Sequence, residues 1–261
     1  MRVFLFVPCF IDQLFPNAAV SAMKVLRHLG CDVVFPENQT CCGQPAYNSG
    51  YFDEARLMAM HQVNALLNLK TPPPQGGNHD FDFKHDYIVG LSGSCVAMTR
   101  NFYPDLIGDD MRFERITKDM GKRTYEFSEF INKIIGVGKF SGKLNATVSF
   151  HDSCHALREL NLKDEPRKIL NRIDGLKLVE LAQSEVCCGF GGTFSVKFPE
   201  ISTAMADEKL KDFDGTGADI LVSADSSCLM HLQGRARRNG SHKRFAHIAE
   251  IMAESISETT A

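Results

Sequence analysis

This sequence of 261 residues has no apolar run near the roughly 18 to 20 residues that a membrane-spanning helix needs. It also has no excess of basic residues, since its formal net charge is −3, and this argues against a nucleic-acid partner. The apolar start, residues 1–11, is short and lacks a small-residue cleavage site, so it predicts a buried first strand and not a signal peptide. We therefore expect a cytoplasmic protein without direct membrane insertion, with any membrane association supplied by partners.

Motifs of self-sufficient enzymes are absent as well. The sequence shows no Ser-His-Asp order, no paired-carboxylate motif and no phosphate-binding loop. Its glycine-rich stretch at 188–192 does not complete a dinucleotide fingerprint, because position 194 is Phe. The compact C-x2-C-x2-C run of ferredoxins is missing too. These absences argue against an enzyme that accepts a hydride by itself.

The cysteines of this sequence have an unusual arrangement. Eight of its nine cysteines follow one order twice: a lone Cys, a Cys-Cys-Gly string, and a second lone Cys. The first set is Cys9, Cys41, Cys42 and Cys95, and the second set is Cys154, Cys187, Cys188 and Cys228. The first gap spans 31 residues in one set and 32 in the other. This duplication predicts two tandem repeats, which we place at residues 1–140 and 141–261.

Four thiols per set suit either an iron–sulfur cluster or a zinc ion. We prefer iron–sulfur clusters, because adjacent cysteines can bind neighbouring irons and the C-x2-C knuckle of most structural zinc sites is absent. Structural zinc and thiol-based redox chemistry remain the alternatives. Cys31 has no counterpart in the second half, so we interpret it as a small buried hydrophobic residue.

Apolar, β-rich runs alternate with helical patterns, which predicts an α/β fold made of two pseudo-twofold-related repeats with mostly parallel sheets. The predicted strands are 2–7, 32–35, 87–91, 146–150, 176–180 and 219–223. The predicted helices are 16–29, 51–69, 95–103, 110–119, 125–135, 163–172, 199–212, 227–238 and 246–257. Each cysteine group follows a predicted strand, so loops at the carboxyl edge of each sheet should gather four thiols.

Two segments rich in glycine or proline are predicted to connect regular elements of the fold. The stretch 136–145 contains three glycines and is predicted to link the repeats. The stretch 71–86 contains three prolines and two glycines, which favour an exposed loop.

Polar residues surround the predicted sites. Several lie within a few positions of a cysteine in the sequence: His151, Asp152, His155, Arg158 and His231. Each could tune a metal centre or take up a proton, and each could equally form an ordinary hydrogen bond. Arg158 and Arg100 are candidates for binding a carboxylate by their charge alone.

The strings around these cysteines resemble a known family. They are Pro8-Cys9, Cys41-Cys42-Gly43-Gln44-Pro45, Gly93-Ser94-Cys95, His151-Asp152-Ser153-Cys154-His155, Cys187-Cys188-Gly189-Phe190-Gly191-Gly192, and Asp225-Ser226-Ser227-Cys228. Together they resemble the cysteine-rich CCG-domain proteins, which include the B subunit of heterodisulfide reductase and iron–sulfur subunits of glycolate and glycerol-3-phosphate oxidation systems.

Within that family the strings are most similar to an iron–sulfur subunit of bacterial L-lactate oxidation. The resemblance implies that the eight cysteines bind iron–sulfur clusters, of the [4Fe–4S] type, and that the chain transfers electrons during oxidation of lactate or a similar 2-hydroxy acid. It also implies ferredoxin-like iron–sulfur partner subunits in a lactate oxidation complex.

The sequence departs from the family pattern at two positions. The family has Cys-x-x-Cys at the end of each set, whereas Ser92 and Asp225 stand at the first of those cysteine positions. Four thiols per set suit an ordinary [4Fe–4S] cluster and not the non-cubane cluster of heterodisulfide reductase. Ser92 and Asp225 could each supply an oxygen ligand or cap the helix that follows.

Overall fold

The computed structural model describes residues 1–67, 81–108 and 111–259. Each half of the chain builds a four-stranded sheet in which every strand pair is parallel. The first sheet has the order β2-β1-β3-β4 and the second β6-β5-β7-β8. The strands are β1 (Arg2–Phe6), β2 (Asp32–Val34), β3 (Tyr87–Gly90), β4 (Thr124–Glu126), β5 (Gly142–His151), β6 (Ile173–Leu178), β7 (Ile220–Ser223) and β8 (Arg244–His247).

Helices connect the strands, as parallel pairing requires. In the first half they are α1 (Cys9–Leu14), α2 (Pro16–His28), α3 (Gln44–Tyr47), α4 (Phe52–Leu67), α5 (Gly93–Ala97), α6 (Tyr103–Leu106), α7 (Met111–Arg123) and α8 (Phe127–Phe130). In the second half they are α9 (Cys154–Glu159), α10 (Asp164–Leu170), α11 (Phe194–Lys197), α12 (Pro199–Gly215), α13 (Ser226–Arg238) and α14 (Ile248–Thr259). Two π-helical segments, Met98–Phe102 and Ile131–Gly136, extend α5 and α8, and a 3₁₀ turn covers Val137–Lys139.

Alternate residues of β1 face two different cores. Val3 and Leu5 pack in a core that also contains Val148 and Phe150 of β5, so this core joins the two halves. Phe4 and Phe6 pack on the other face, in a core that belongs to the first half alone. The period of two along the strand is what a sheet buried on both faces requires.

Strand register shows how the halves correspond. Val3 pairs with Tyr87 in the first sheet, and Val148 pairs with Ile220 in the second. Residues of β1 and β5 are therefore equivalent at a shift of 145 positions. This is the shift that superposes Cys9 on Cys154, and it confirms the prediction of two repeats with parallel sheets.

All six predicted strands are present, but the sequence analysis missed β4 and β8. The predicted linker 136–145 is wrong in its second part, because β5 begins at Gly142 and pairs there with Ile173. The predicted helix 125–135 begins as β4 and becomes helical only at Phe127. Most of the predicted loop 71–86 lies outside the described residues. Among the described helices, none is long and apolar enough to cross a membrane.

Candidate metal centres

Each cysteine set sits at the carboxyl edge of its own sheet. Cys9 and Cys154 are the first residues of α1 and α9, which follow the two equivalent strands β1 and β5. Cys95 lies in α5 after β3, and Cys228 lies in α13 after β7. The paired cysteines occupy the loops after β2 and β6. Three loops per half therefore bring four thiols to one place, in the way that the strand pattern predicts.

Sulfur atoms of the first set are in direct contact. The Sγ atoms of Cys42 and Cys95 lie 3.4 Å apart, and the thiol of Cys41 contacts those of Cys42 and Cys9. Hydrogen bonds from these two thiols lower the pKa of Cys41 to about 3, whereas the same contacts and burial raise the pKa values of Cys9 and Cys42. The set thus favours one thiolate among several thiols, and the thiolate is the form of cysteine that binds a metal cation.

The second set repeats the arrangement. The thiol of Cys187 contacts those of Cys154 and Cys188, and Cys188 also contacts Cys228. Hydrogen bonds from Cys154 and Cys188 lower the pKa of Cys187 to about 2. All of these cysteines are free thiols. Both sets therefore present four unpaired sulfur donors, a number and chemistry that fit a [4Fe–4S] cluster or a tetrahedral zinc ion.

Both sets open onto one cavity between the two halves. The cavity has a volume of about 390 Å³, and all eight duplicated cysteines line it. Phe10 of the first half and Phe190 of the second meet across it edge to face, with ring centroids 5.6 Å apart. Ser49 and Thr193 form a second contact between the halves, at 3.1 Å between hydroxyl oxygens. The two candidate centres consequently share a mostly apolar opening.

Glycine is required after each cysteine pair. Gly189 has a φ of +89°, and an added Cβ would lie 2.6 Å from the carbonyl oxygen of Ser202. Its backbone N–H donates to the Cys187 sulfur at 3.4 Å. Gly43 has the equivalent conformation, with a φ of +83°, and its N–H bonds the Cys41 sulfur. The Cys-Cys-Gly string therefore aims a backbone donor at one sulfur of each set, which stabilises negative charge there.

Asp225 and Ser92 bond to each other. The Ser92 hydroxyl donates to the Asp225 carboxylate at 2.9 Å, and the Ser94 N–H donates to the same oxygen at 3.2 Å. The other carboxylate oxygen accepts from the N–H of Ser227 and so caps α13. Because the two are equivalent positions, their contact marks the pseudo-twofold axis. Asp225 is a cap and a bridge between halves, whereas Ser92 forms no side-chain cap of α5.

His151 is the polar neighbour that stands out. It is fully buried, and neither ring nitrogen has a hydrogen-bond partner. Its ligand atom lies within 4.8 Å of the sulfurs of Cys188 and Cys228. Burial lowers the pKa of His151 to about 3, so the ring is neutral at pH 7. The sequence placed His151 near Cys154, but only the fold brings it to Cys188 and Cys228.

The remaining predicted residues have varied surroundings. His155 lies 3.6 Å from the sulfur of Cys154, and His231 contacts the Ser202 hydroxyl at 3.3 Å. Arg100 is paired with the buried Glu129, which argues against a role in carboxylate binding. Cys31 is buried in the core that joins the halves, as expected.

Two buried charged groups lie near the second set, and the sequence analysis named only one of them, Asp152. Lys209 is buried on α12, where desolvation lowers its pKa. It interrupts the apolar spacing of Ala206, Leu210 and Phe213, which was the only signal available in the sequence. Asp152 is buried and paired in bidentate fashion with Arg167, at 2.8 and 2.9 Å.

Comparison with known proteins agrees with this geometry. A family model described as a cysteine-rich domain, CCG, matches residues 3–100 and 148–233. The chain belongs to the CCG cysteine-rich domain family. The two matched segments contain the two cysteine sets, so each half of this CCG protein carries one copy of the domain.

Full-length relatives of this CCG protein are named for lactate utilization. Lactate utilization protein A of an Exiguobacterium species is 41% identical over 257 residues, covering 98% of this chain and 99% of the relative. Lactate utilization protein A 2 of Bacillus cereus is 39% identical over 259 residues, covering 99% and 100%. A crystal structure of a hypothetical protein from Helicobacter pylori has a TM-score of 0.60 at 9% identity, and the match covers 98% of this chain and 49% of that one. That likeness supports the fold alone.

Proposed function

We propose that this chain is an iron–sulfur electron-transfer subunit of a system that oxidises lactate or a similar 2-hydroxy acid. The observation that carries the proposal is the meeting of two four-thiol sets at one cavity between the halves. Cys9, Cys41, Cys42 and Cys95 would hold one [4Fe–4S] cluster, and Cys154, Cys187, Cys188 and Cys228 a second. The names of the full-length relatives support the link to lactate.

The chain's own residues would hold and insulate the clusters. Cys42, Cys95, Cys188 and Cys228 are buried, whereas Cys9, Cys41, Cys154 and Cys187 are partly exposed towards the cavity. Backbone N–H groups of Gly43 and Gly189 would hydrogen-bond cluster-facing sulfurs and raise the reduction potential. When bound, such clusters accept and release electrons one at a time. The proposed domain boundary remains between residues 140 and 141, with one CCG-type site on each side.

A single-electron carrier needs partners to complete a two-electron oxidation. We propose ferredoxin-like iron–sulfur subunits as those partners, in a reducing cytoplasm, with an acceptor such as the quinone pool. The free state of all nine cysteines supports a reducing compartment. No nucleic-acid contact is part of the proposal, because the chain has a net negative charge.

Metal analysis tests the cofactor. Protein purified without oxygen should be brown and contain iron and acid-labile sulfide, and a colourless protein with about two zinc ions would refute the proposal. Cys42→Ser and Cys188→Ser should each remove about half of the iron, because the sulfur contacts described above lie within one set. Cys31→Ala is the matched control and should leave iron unchanged.

Reconstitution tests the partners. The isolated chain should show little lactate oxidation with an artificial acceptor, and activity should appear when cluster-bearing partner subunits are added. Robust turnover by the chain alone would contradict the role of a subunit and favour a self-contained enzyme.

A further inference from the structure

Within the part of the chain that the structure describes, the second candidate centre has a buried nitrogen donor that has no counterpart at the first. His151 ends β5, and the equivalent residue at the end of β1 is Phe6. Both side chains are fully buried. In the first half this position completes the apolar core around Cys42 and Cys95. In the second half the same position holds an imidazole beside the corresponding pair, Cys188 and Cys228.

We infer that the His151 imidazole is a ligand of the metal centre in the second half, alongside cysteine sulfurs. The inference rests on the proposed function, because it requires a metal centre at this place. A [4Fe–4S] cluster takes four protein ligands, so His151 would occupy one of these positions together with three of the four cysteines of the second set. It makes the two centres chemically different although the cysteine sets are duplicated.

Three observations carry the inference. The ligand atoms of His151, Cys188 and Cys228 lie within 4.8 Å of one another, close enough to share one metal centre. Both ring nitrogens lack a hydrogen-bond partner in a fully buried site, where polar groups are normally satisfied. A neutral imidazole is a common ligand of iron and zinc, so a metal would satisfy one of these nitrogens.

Neighbouring polar groups do not take this role. Both carboxylate oxygens of Asp225 are occupied, by Ser92 and Ser94 on one side and by Ser227 on the other. The Lys209 ammonium bonds the backbone carbonyl of Gln183. The buried hydroxyls of Ser153 and Ser226 also lack a hydrogen-bond partner, but histidine is the commoner metal ligand. Among the described residues, His151 is the side chain that groups with Cys188 and Cys228 as a possible metal site.

Pulsed electron paramagnetic resonance of the reduced protein tests the inference. Anaerobically purified protein would carry either ¹⁴N-histidine or ¹⁵N-histidine in an otherwise identical background. We expect strong nitrogen hyperfine coupling at one centre, and we expect its isotope pattern to follow the histidine label. This measurement needs no substitution, so it does not depend on any variant folding.

Two matched substitutions identify the histidine. His151→Phe and His155→Phe each install the residue found at the equivalent first-half position, Phe6 or Phe10. His151→Phe should abolish the coupling and lower the reduction potential of one centre, because imidazole ligation raises cluster potentials relative to thiolate ligation. His155→Phe should retain the coupling.

The outcomes separate this inference from the proposed function. A cluster without coupling to a histidine nitrogen, or a coupling lost only in His155→Phe, would overturn the inference and leave the proposed function intact. Protein that contains zinc and no iron would refute the proposed function. X-ray absorption at the zinc edge would then show whether His151 binds the zinc ion. One nitrogen scatterer that disappears in His151→Phe would support the ligand, and an all-sulfur shell would overturn it.

Discussion

The contact between Asp225 and Ser92 should contribute measurably to stability, because it joins the two halves inside the protein. Asp225→Ala removes the cap of α13, which costs about 1 kcal/mol. It also removes the hydrogen bond from the buried Ser92 hydroxyl to a carboxylate, worth about 2 kcal/mol. We therefore expect the free energy of unfolding to fall by about 3 kcal/mol, and by less in Asp225→Asn, which keeps an acceptor oxygen.

Urea unfolding of the metal-free, reduced chain, followed by circular dichroism, measures this loss. A double-mutant cycle with Ser92→Ala isolates the contact between the halves, and we expect a coupling energy of about 1.5 kcal/mol. Asp207→Ala is the control, because Asp207 pairs with Arg235 at the surface of the same half and should cost less than about 1 kcal/mol. Equal losses for Asp225→Ala and Asp207→Ala, or a coupling energy near zero, would refute the reasoning.

Three further predictions concern other buried groups. In thermal unfolding, Gly189→Ala should destabilise the protein by more than about 2 kcal/mol, because the added Cβ would clash with the carbonyl oxygen of Ser202, and it should also reduce iron retention. The control Gly217→Ala, in open space at φ +69°, should cost only about 1 kcal/mol in the same assay. Arg167→Met should cost about 3 to 5 kcal/mol by leaving the buried Asp152 carboxylate unpaired, a result that a loss below about 1 kcal/mol would contradict. Burial raises the folded pKa of Glu126 to about 7 from its ordinary value of 4.5, so this group's contribution to stability is present below about pH 4.5 and is lost as the pH rises through 7. Glu126→Gln should therefore gain up to about 3 kcal/mol on the wild type between pH 5 and pH 8, and parallel stability profiles would show that the carboxyl is not buried as described.

The parts of the fold that the sequence predicted are those whose signal is local. Central strands such as β1 and β7 are short apolar runs, and buried parallel strands require that composition. The edge strands β4 and β8 contain Glu126, Arg244 and His247, so their composition does not indicate a strand, and they are defined by pairing with β3 and β7. The predicted helix 95–103 gives way to a π-helical segment at Met98, before Pro104, which lacks the N–H and crowds the preceding turn.

The candidate sites divide in the same way. Cysteine spacing after strands was enough to predict which thiols meet, because parallel strands end at one edge of the sheet. The bond between Ser92 and Asp225 could not be predicted, because these residues are 133 positions apart and meet only where the two halves pack. The position of His151 beside Cys228 likewise depends on how β5 and α13 are placed. Comparing the repeats position by position would have drawn attention to it, since a histidine replaces a phenylalanine.

A comparison of equivalent positions in the two halves shows which features the fold requires and which side chains are free to differ. Glu126 and His247 occupy the same register at the ends of β4 and β8. In each half a glutamate three residues later accepts a hydrogen bond from the backbone N–H at that position: Glu129 from Glu126 at 3.3 Å and Glu250 from His247 at 2.8 Å. The backbone hydrogen bond at the start of α8 and of α14 is thus kept, while the side chain that precedes each helix differs.

The same division applies beside the cysteines. The fold keeps the strand ends, the Cys-Cys-Gly conformation and the thiol contacts in both halves, because these depend on backbone geometry. Phe6 and His151 share a backbone position but give the neighbouring thiols an apolar wall in one half and a neutral nitrogen base in the other. Because the reduction potential of a centre depends on its ligands and its local dielectric, two centres with duplicated cysteines need not have equal potentials. If the two sets hold the clusters proposed above, unequal potentials would give electrons a preferred direction between the halves, through a difference in single side chains and without any change in fold.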